Sequence, residues 1–145
     1  LCTSFKVELL EGDHDFNNGA DAFKVALFKA NASITGTYSA ATTNYSDMTG
    51  NSDELPATGG YTTTGFALTN VNPTSTGTTA FTDFSANASW TSATFTTRGC
   101  MIYNTSDSNS AVAVINFGAD YSVSGGTFEI QWPTADSSNA IIRIA

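Results

Sequence analysis

The chain's one histidine, His14, stands between Asp13 and Asp15. An imidazole flanked by carboxylates is the residue set from which a weak metal site or a general base is built. A single imidazole cannot supply a multi-histidine zinc site or a two-histidine facial triad within one chain. Its setting reads instead as a solvated acidic turn. A Ser-His-Asp triad would have to use the same histidine, and no G-x-S-x-G elbow accompanies it. Cys100 lies two residues from Arg98, a pattern that can activate a thiol. It also sits in an apolar run with Met101 and Ile102, where a buried structural cysteine is the ordinary outcome. Cys2 is remote from it in sequence, and the two are read as free thiols rather than as a disulfide framework. The carboxylates of Ser52-Asp53-Glu54 and of Thr105–Ser110 (TSDSNS) lack calcium-loop spacing and are read as solvated loop charges. Asp83 and Glu129 are the only acidic residues in or beside strand-like runs, the minimum that a glycosidase-type pair would require. No phosphate loop or dinucleotide fingerprint is present. The expectation is no catalytic residue, no metal ligand and no cofactor: a protein that is not an enzyme.

The elements that would carry these residues are mostly strands. Residues 2–10 (CTSFKVELL) form the best helix candidate, with Thr3 or Ser4 as cap, Cys2, Phe5 and Leu9 at helical spacing, and Gly12 as stop. So short a helix must dock on something, either its own sheet or a neighbouring subunit. Phe23–Phe28 alternates as a strand, placing Phe23, Val25 and Leu27 on one face. Residues 30–60 are rich in Ala, Thr, Ser, Asn and Gly and read as a long, loosely structured polar excursion, with a short strand or turn near Tyr38–Tyr45. Further strands are expected over Tyr61–Val71, Thr79–Ser85, the run from Trp90, Gly99–Asn104, Ala111–Phe117, Thr127–Trp132 and Ala140–Ile144, with Gly125-Gly126 as a turn. Trp90 and Trp132 suit either core packing or stacking on a sugar. Four sequons, at Asn31, Asn44, Asn87 and Asn104, are chance matches in a chain this rich in Asn, Ser and Thr. The reading is one all-β domain over residues 1–145, a β-sandwich or jelly-roll-like fold of seven to eight short strands with a short N-terminal helix or arm at 1–12.

Composition sets bounds on partners. The chain has 145 residues, 12% of them charged, five Lys and Arg, and a formal charge of −8. Binding nucleic acid requires phosphates to be neutralised by Lys and Arg, and here no two of the five are adjacent. Anionic membranes are disfavoured for the same reason. No apolar run reaches the ~20 residues of a membrane-spanning helix, and the opening residues do not read as a signal peptide. No internal repeat marks a solenoid or propeller.

Several segments together resemble a family of short virion structural proteins of environmental and marine tailed bacteriophages. They are FKVALF, GGYTTTGFALT, TAFTDF with Trp90 soon after, ATFTTRGCMIYN, AVAVINFGAD and GTFEIQWPTADSSNAIIRIA, spanning about Phe5 to Ala145. The resemblance implies membership of a phage particle and carries over no catalytic residue. Two roles follow as expectations. The first is a capsid decoration or cement protein on the outer head surface, a dimer or trimer bound to the major capsid protein or other virion proteins. The second is a tail, fibre or head-spike component that contacts the host surface through a glycan. The expected contact residues are Phe5, Leu9 and Leu10 on the helix, and Leu55 in the polar excursion. One biochemical outcome follows: purified protein incubated with host envelope polysaccharide or peptidoglycan should release no product. Release that disappears in Glu129→Gln or Asp83→Asn would contradict the non-enzymatic reading.

Overall fold

The computed structural model describes residues 1–32 and 37–145. A helix α1 (Thr3–Glu11) leads to strand β1 (Phe23–Lys29), a short helix α2 (Tyr45–Gly50), then β2 (Phe66–Ala67), β3 (Thr74–Thr76), β4 (Thr79–Thr82), β5 (Ala88–Asn104), β6 (Ser110–Ile130) and β7 (Ile142–Ile144). The strands form two antiparallel sheets, ordered β2-β1-β5-β6 and β3-β4-β7. The fold is all-β and sandwich-like, as expected.

The helix forms where the spacing placed it and ends at Gly12, whose φ of 89° only glycine adopts freely. Its cap differs: Cys2 takes the N-cap position without a side-chain bond, and neither Thr3 nor Ser4 serves. The helix docks on its own fold, with Phe5 fully buried and Cys2 N donating to Val112 O at 2.9 Å.

Strand β1 lies between β2 and β5, and Val25, Ala26, Leu27 and Phe28 are all fully buried. Because successive side chains point to opposite faces, both faces of this strand need cover. Phe16 stacks on Phe23 at 4.4 Å, with Phe5 and Phe84 close by. On Phe28 lies Tyr38, at 4.6 Å.

Tyr38 belongs to the segment expected to be a loose polar excursion, and there the expectation fails. Tyr38 and Met48 are buried, and α2 is held by a capping box in which Asn44 accepts from Ser46 N while Asp47 accepts from Asn44 N. Sparse apolar anchors sufficed because each fills a site on the covered sheet. The part of that segment at 33–36 lies outside the described residues.

The strands are also less uniform than expected. Of the Tyr61–Val71 run only Phe66–Ala67 is strand, while the two predicted runs from Trp90 to Asn104 are one strand of 17 residues. Likewise Ala111–Phe117 and the first four residues of the run expected over Thr127–Trp132 belong to one strand of 21 residues, which ends at Ile130, and Gly125-Gly126 is a bulge within it rather than a turn. Glycine at φ 63° looks the same in sequence whether it reverses the chain or kinks it.

Asp83, at the end of β4, is buried and ties the small sheet together. Its carboxylate accepts from Phe84 N at 2.8 Å and from Ile141 N at 3.1 Å. Burial pushes its carboxyl above the ordinary 3.8, against the lowering pull of those two bonds. A raised acid pKa means the folded state holds its proton longer than the unfolded chain, so this group's stability contribution falls as pH rises through the folded pKa. The variant Asp83→Asn lacks that loss and keeps one acceptor. Melting curves should therefore show the variant gaining on wild type from about pH 4 towards neutrality. A difference independent of pH would contradict the assignment.

Candidate functional site

Three places gather the residues that can do chemistry or make contacts: two polar knots and the exposed apolar surface. The first knot centres on His14, which is buried rather than solvated as expected, while Asp13 and Asp15 are exposed. Its Nε2 lies 3.0 Å from Glu8 Oε2, and its Nδ1 lies 2.9 Å from Asn104 Nδ2. Asn104 is fixed at both ends of its amide. Nδ2 also donates to Asp21 Oδ2 at 2.8 Å, and Oδ1 accepts from the backbone N–H of Ser106 and Asp107. Nδ1 of His14 is therefore an acceptor, which leaves the proton on Nε2, donated to Glu8. Ligand atoms of Glu8, His14 and Asp107 come within 4.8 Å of one another. In this tautomer, however, the histidine nitrogen facing Glu8 has no lone pair to offer an ion. The knot joins helix α1, the turn after it and the β5–β6 connection.

The second knot was not foreseen. Glu54 Oε1 accepts from Tyr61 Oη at 2.9 Å and from Thr64 N at 2.7 Å, and Oε2 accepts from Tyr45 Oη at 2.5 Å. Tyr103 stacks on Tyr45 at 4.4 Å and donates its hydroxyl to Thr64 O at 2.7 Å. Lys24 Nζ donates to Thr64 Oγ1. Thr64 thus has its N–H, carbonyl and hydroxyl all engaged while its φ is +74°, a costly conformation for a β-branched residue. Gly65 follows at φ +77°, where a Cβ would fall 2.0 Å from Val25 O. The knot presses this tight loop onto β1. Burial, reinforced by the Glu54 charge, raises the phenols of Tyr45 and Tyr61 and pushes Tyr103 up to about 12. They act as neutral donors. Nearby, Asp53 accepts from Tyr38 Oη and pairs with Lys29 at 3.0 Å. Asp53 and Glu54 are therefore structural groups, not the solvated loop charges expected.

Neither cysteine is activated. Both are buried and unpaired with each other, and burial pushes Cys2 up to about 11 and Cys100 to about 12. Arg98 faces Asp120 at 3.6 Å. Asp83 and Glu129 serve different sheets, the latter accepting from Asn87 and Gln131. Trp90 is buried among Tyr61, Phe66 and Phe128, and half-buried Trp132 packs on Phe84 while donating to Ala86 O. Core packing is the role of the first tryptophan and most of the second. Asn104 is too buried for a sequon, Asn44 is a helix cap, and the sequon at Asn31 ends at Ser33, outside the described residues.

The contact residues divide. Phe5 and Leu55 belong to the core, where they support the fold and present nothing to a partner. Leu10 is 88% exposed, joined on the helix by Val7 at 51%. Leu9 is half-buried and lines a groove of about 400 Å³ with Phe81, Ile142 and Ile144. Leu1 lies beside Ile141 and Arg143. Leu9 thus borders β7, whose Ile144 is 58% exposed, while Val7 and Leu10 lie on other sides of the helix.

Comparison with protein-family models, curated proteins and solved structures returns no match for this chain.

Opposite stability changes should distinguish the parts of the Glu54 knot. Tyr103→Phe leaves Thr64 O unpaired and should cost about 1–3 kcal/mol. Thr64→Gly relieves about 1–2 kcal/mol of left-handed strain against about 0.4–1 kcal/mol of added chain entropy, so stability should hold or rise slightly. Urea midpoints at unchanged m-value provide the measurement. A loss in both variants would show that Thr64 is not strained.

Proposed function

We propose that this chain is a non-enzymatic structural protein of a bacteriophage particle, a decoration or cement protein on the outer surface of the head. It binds there as a dimer or trimer, against the major capsid protein or other virion proteins. The observation that carries the reading is the exposed apolar surface of α1 and β7. Exposed apolar surface on a small domain marks a contact region: Ile144 stands beside the Leu9 groove, and other sides of the helix expose Val7 and Leu10. Three further features support the reading. The carboxylates and the histidine with recognisable chemistry are engaged in structural hydrogen bonds. The charge of −8 suits a surface facing away from packaged nucleic acid. The sequence segments resemble virion proteins over nearly the whole chain. Weak contacts repeated in a symmetric oligomer hold firmly through effective concentration.

The test adds purified protein to phage shells assembled without it, and measures occupancy and heat-induced DNA release. Binding should saturate at hundreds of copies, in keeping with shell symmetry. Leu10→Asp should weaken it by roughly 10–100-fold, the equivalent of about 1.5–3 kcal/mol for one leucine, with the melting temperature unchanged. Phe5→Asp should instead abolish folding. Protein found only at the tail or portal vertex would reject decoration in favour of a tail, fibre or spike role.

A further inference from the structure

The distal part of the β5–β6 ribbon is bent by three irregularities. Between Asn116 and Tyr121 strand β6 takes five steps, where β5 takes two between Thr97 and Gly99. A second bulge lies at Thr91-Ser92, with Ser92 at φ +51°, and a third at Gly125. The effect on side chains is large. Residues 117 and 128 of an extended strand would stand about 36 Å apart at roughly 3.3 Å per residue. Here the rings of Phe117 and Phe128 are 6.3 Å apart, and Phe117 meets Tyr121 edge-on at 6.0 Å.

The curl makes an aromatic concavity. Trp90 and Phe95, at its inner end, are covered by Tyr61 and Phe66. The cover stops there, leaving an open groove of about 300 Å³ lined by Phe117, Tyr121, Phe128, Glu129, Ile130 and Gln131. Tyr121 is 52% exposed.

We infer that this groove binds a neutral pyranose sugar. Its size decides first: about 300 Å³ falls at the lower end of small-ligand sites, ~300–1,000 Å³. Its chemistry decides next. Half-exposed aromatic rings offer faces to the apolar C–H surface of a sugar, and Tyr121 adds a hydroxyl. Hydroxyl partners stand at the rim. Glu129 Oε1 is engaged by Asn87 and Gln131, while no donor among the described residues engages Oε2. Gln131 donates through Nε2, which leaves its side-chain carbonyl to accept. At Phe128–Ile130 strand β6 is the sheet's edge, so outward backbone groups have no partner strand. Charge decides last: Glu129 and a net −8 repel acidic sugars. The site is separate from the α1–β7 flank, and does not depend on the decoration role.

The experiment titrates isotopically labelled full chain with cellobiose, maltose and di-N-acetylchitobiose, and with choline and sialic acid as controls, followed by amide NMR shifts and calorimetry. At least one neutral sugar should shift Tyr121, Phe128 and Gln131 amides saturably at about 10 mM, ten times a millimolar Kd. Tyr121→Ala should weaken that binding at least tenfold with the melting temperature unchanged, because the side chain is half in solvent. Four results would overturn the inference: no shift with any neutral sugar, shifts unaffected by Tyr121→Ala, binding of choline alone, or a change of molecular mass in Tyr121→Ala showing that a second copy covers the groove. None of them bears on shell occupancy, which tests the decoration role independently.

Discussion

The rest of the structure depends on one constraint: the β1–β5 pair is buried on both faces. Phe23 pairs with Asn104 and Leu27 with Cys100, and the residues between, Lys24 apart, are buried. An antiparallel sheet commonly leaves one face to water, but this one does not. Two separate covers are therefore required. One comes from α1 and the turn after it, through Phe5 and Phe16; the other reaches Phe28 through Tyr38. The second cover is a chain segment with few large apolar residues, so it must place its anchors accurately.

Hydrogen bonds supply that accuracy. A cover built from Thr, Ser and Asn cannot rely on buried area alone, because each buried polar group must find a partner. The Glu8–His14–Asn104–Asp21 chain fastens the first cover, and Glu54 with its tyrosines fastens the loop across β1. In both, one carboxylate or amide serves several donors, which makes the arrangement cooperative. The same residue types would suggest catalysis if seen in a cleft. Here their lone pairs and protons are already committed, and that commitment gives them an architectural role.

The long ribbon shows the complementary situation. Beyond the reach of β1 no third strand pairs with β5 and β6, and a flat two-stranded ribbon of this length would expose an apolar face and a long open edge. Bulges curl it instead, folding Phe128 back towards Phe117. Curling buries part of the face and breaks up the edge, while leaving an aromatic hollow. The ribbon's hollow is thus a place of apolar exposure separate from the groove between the helix and β7.

Much of this was legible in the residues. Period-two runs identified β1 and separate parts of β5 and β6, Gly12 marked the end of the helix, and the two cysteines read correctly as free thiols. Leu10, expected as a contact residue, is exposed. Local pattern determines these because alternation, a left-handed glycine and an apolar setting act over a few residues. Phe5 and Leu55 looked equally suited to contact, yet the core claimed them, since helix spacing does not say which side faces the sheet. His14 looked like a solvated charge because its partner Asn104 lies far along the chain; the partners of Glu54, Tyr45, Tyr61 and Thr64, are near in sequence, but no local pattern shows that they converge on it. Whether Gly125 reverses a strand or bends it likewise depends on what lies across the ribbon. The sequence by itself determined the all-β class, parts of the long strands, the stop of the helix and the net negative charge. Only the tertiary structure decided which polar groups pair and which aromatic rings remain open, because pairing distant residues is set by sheet register rather than by local preference.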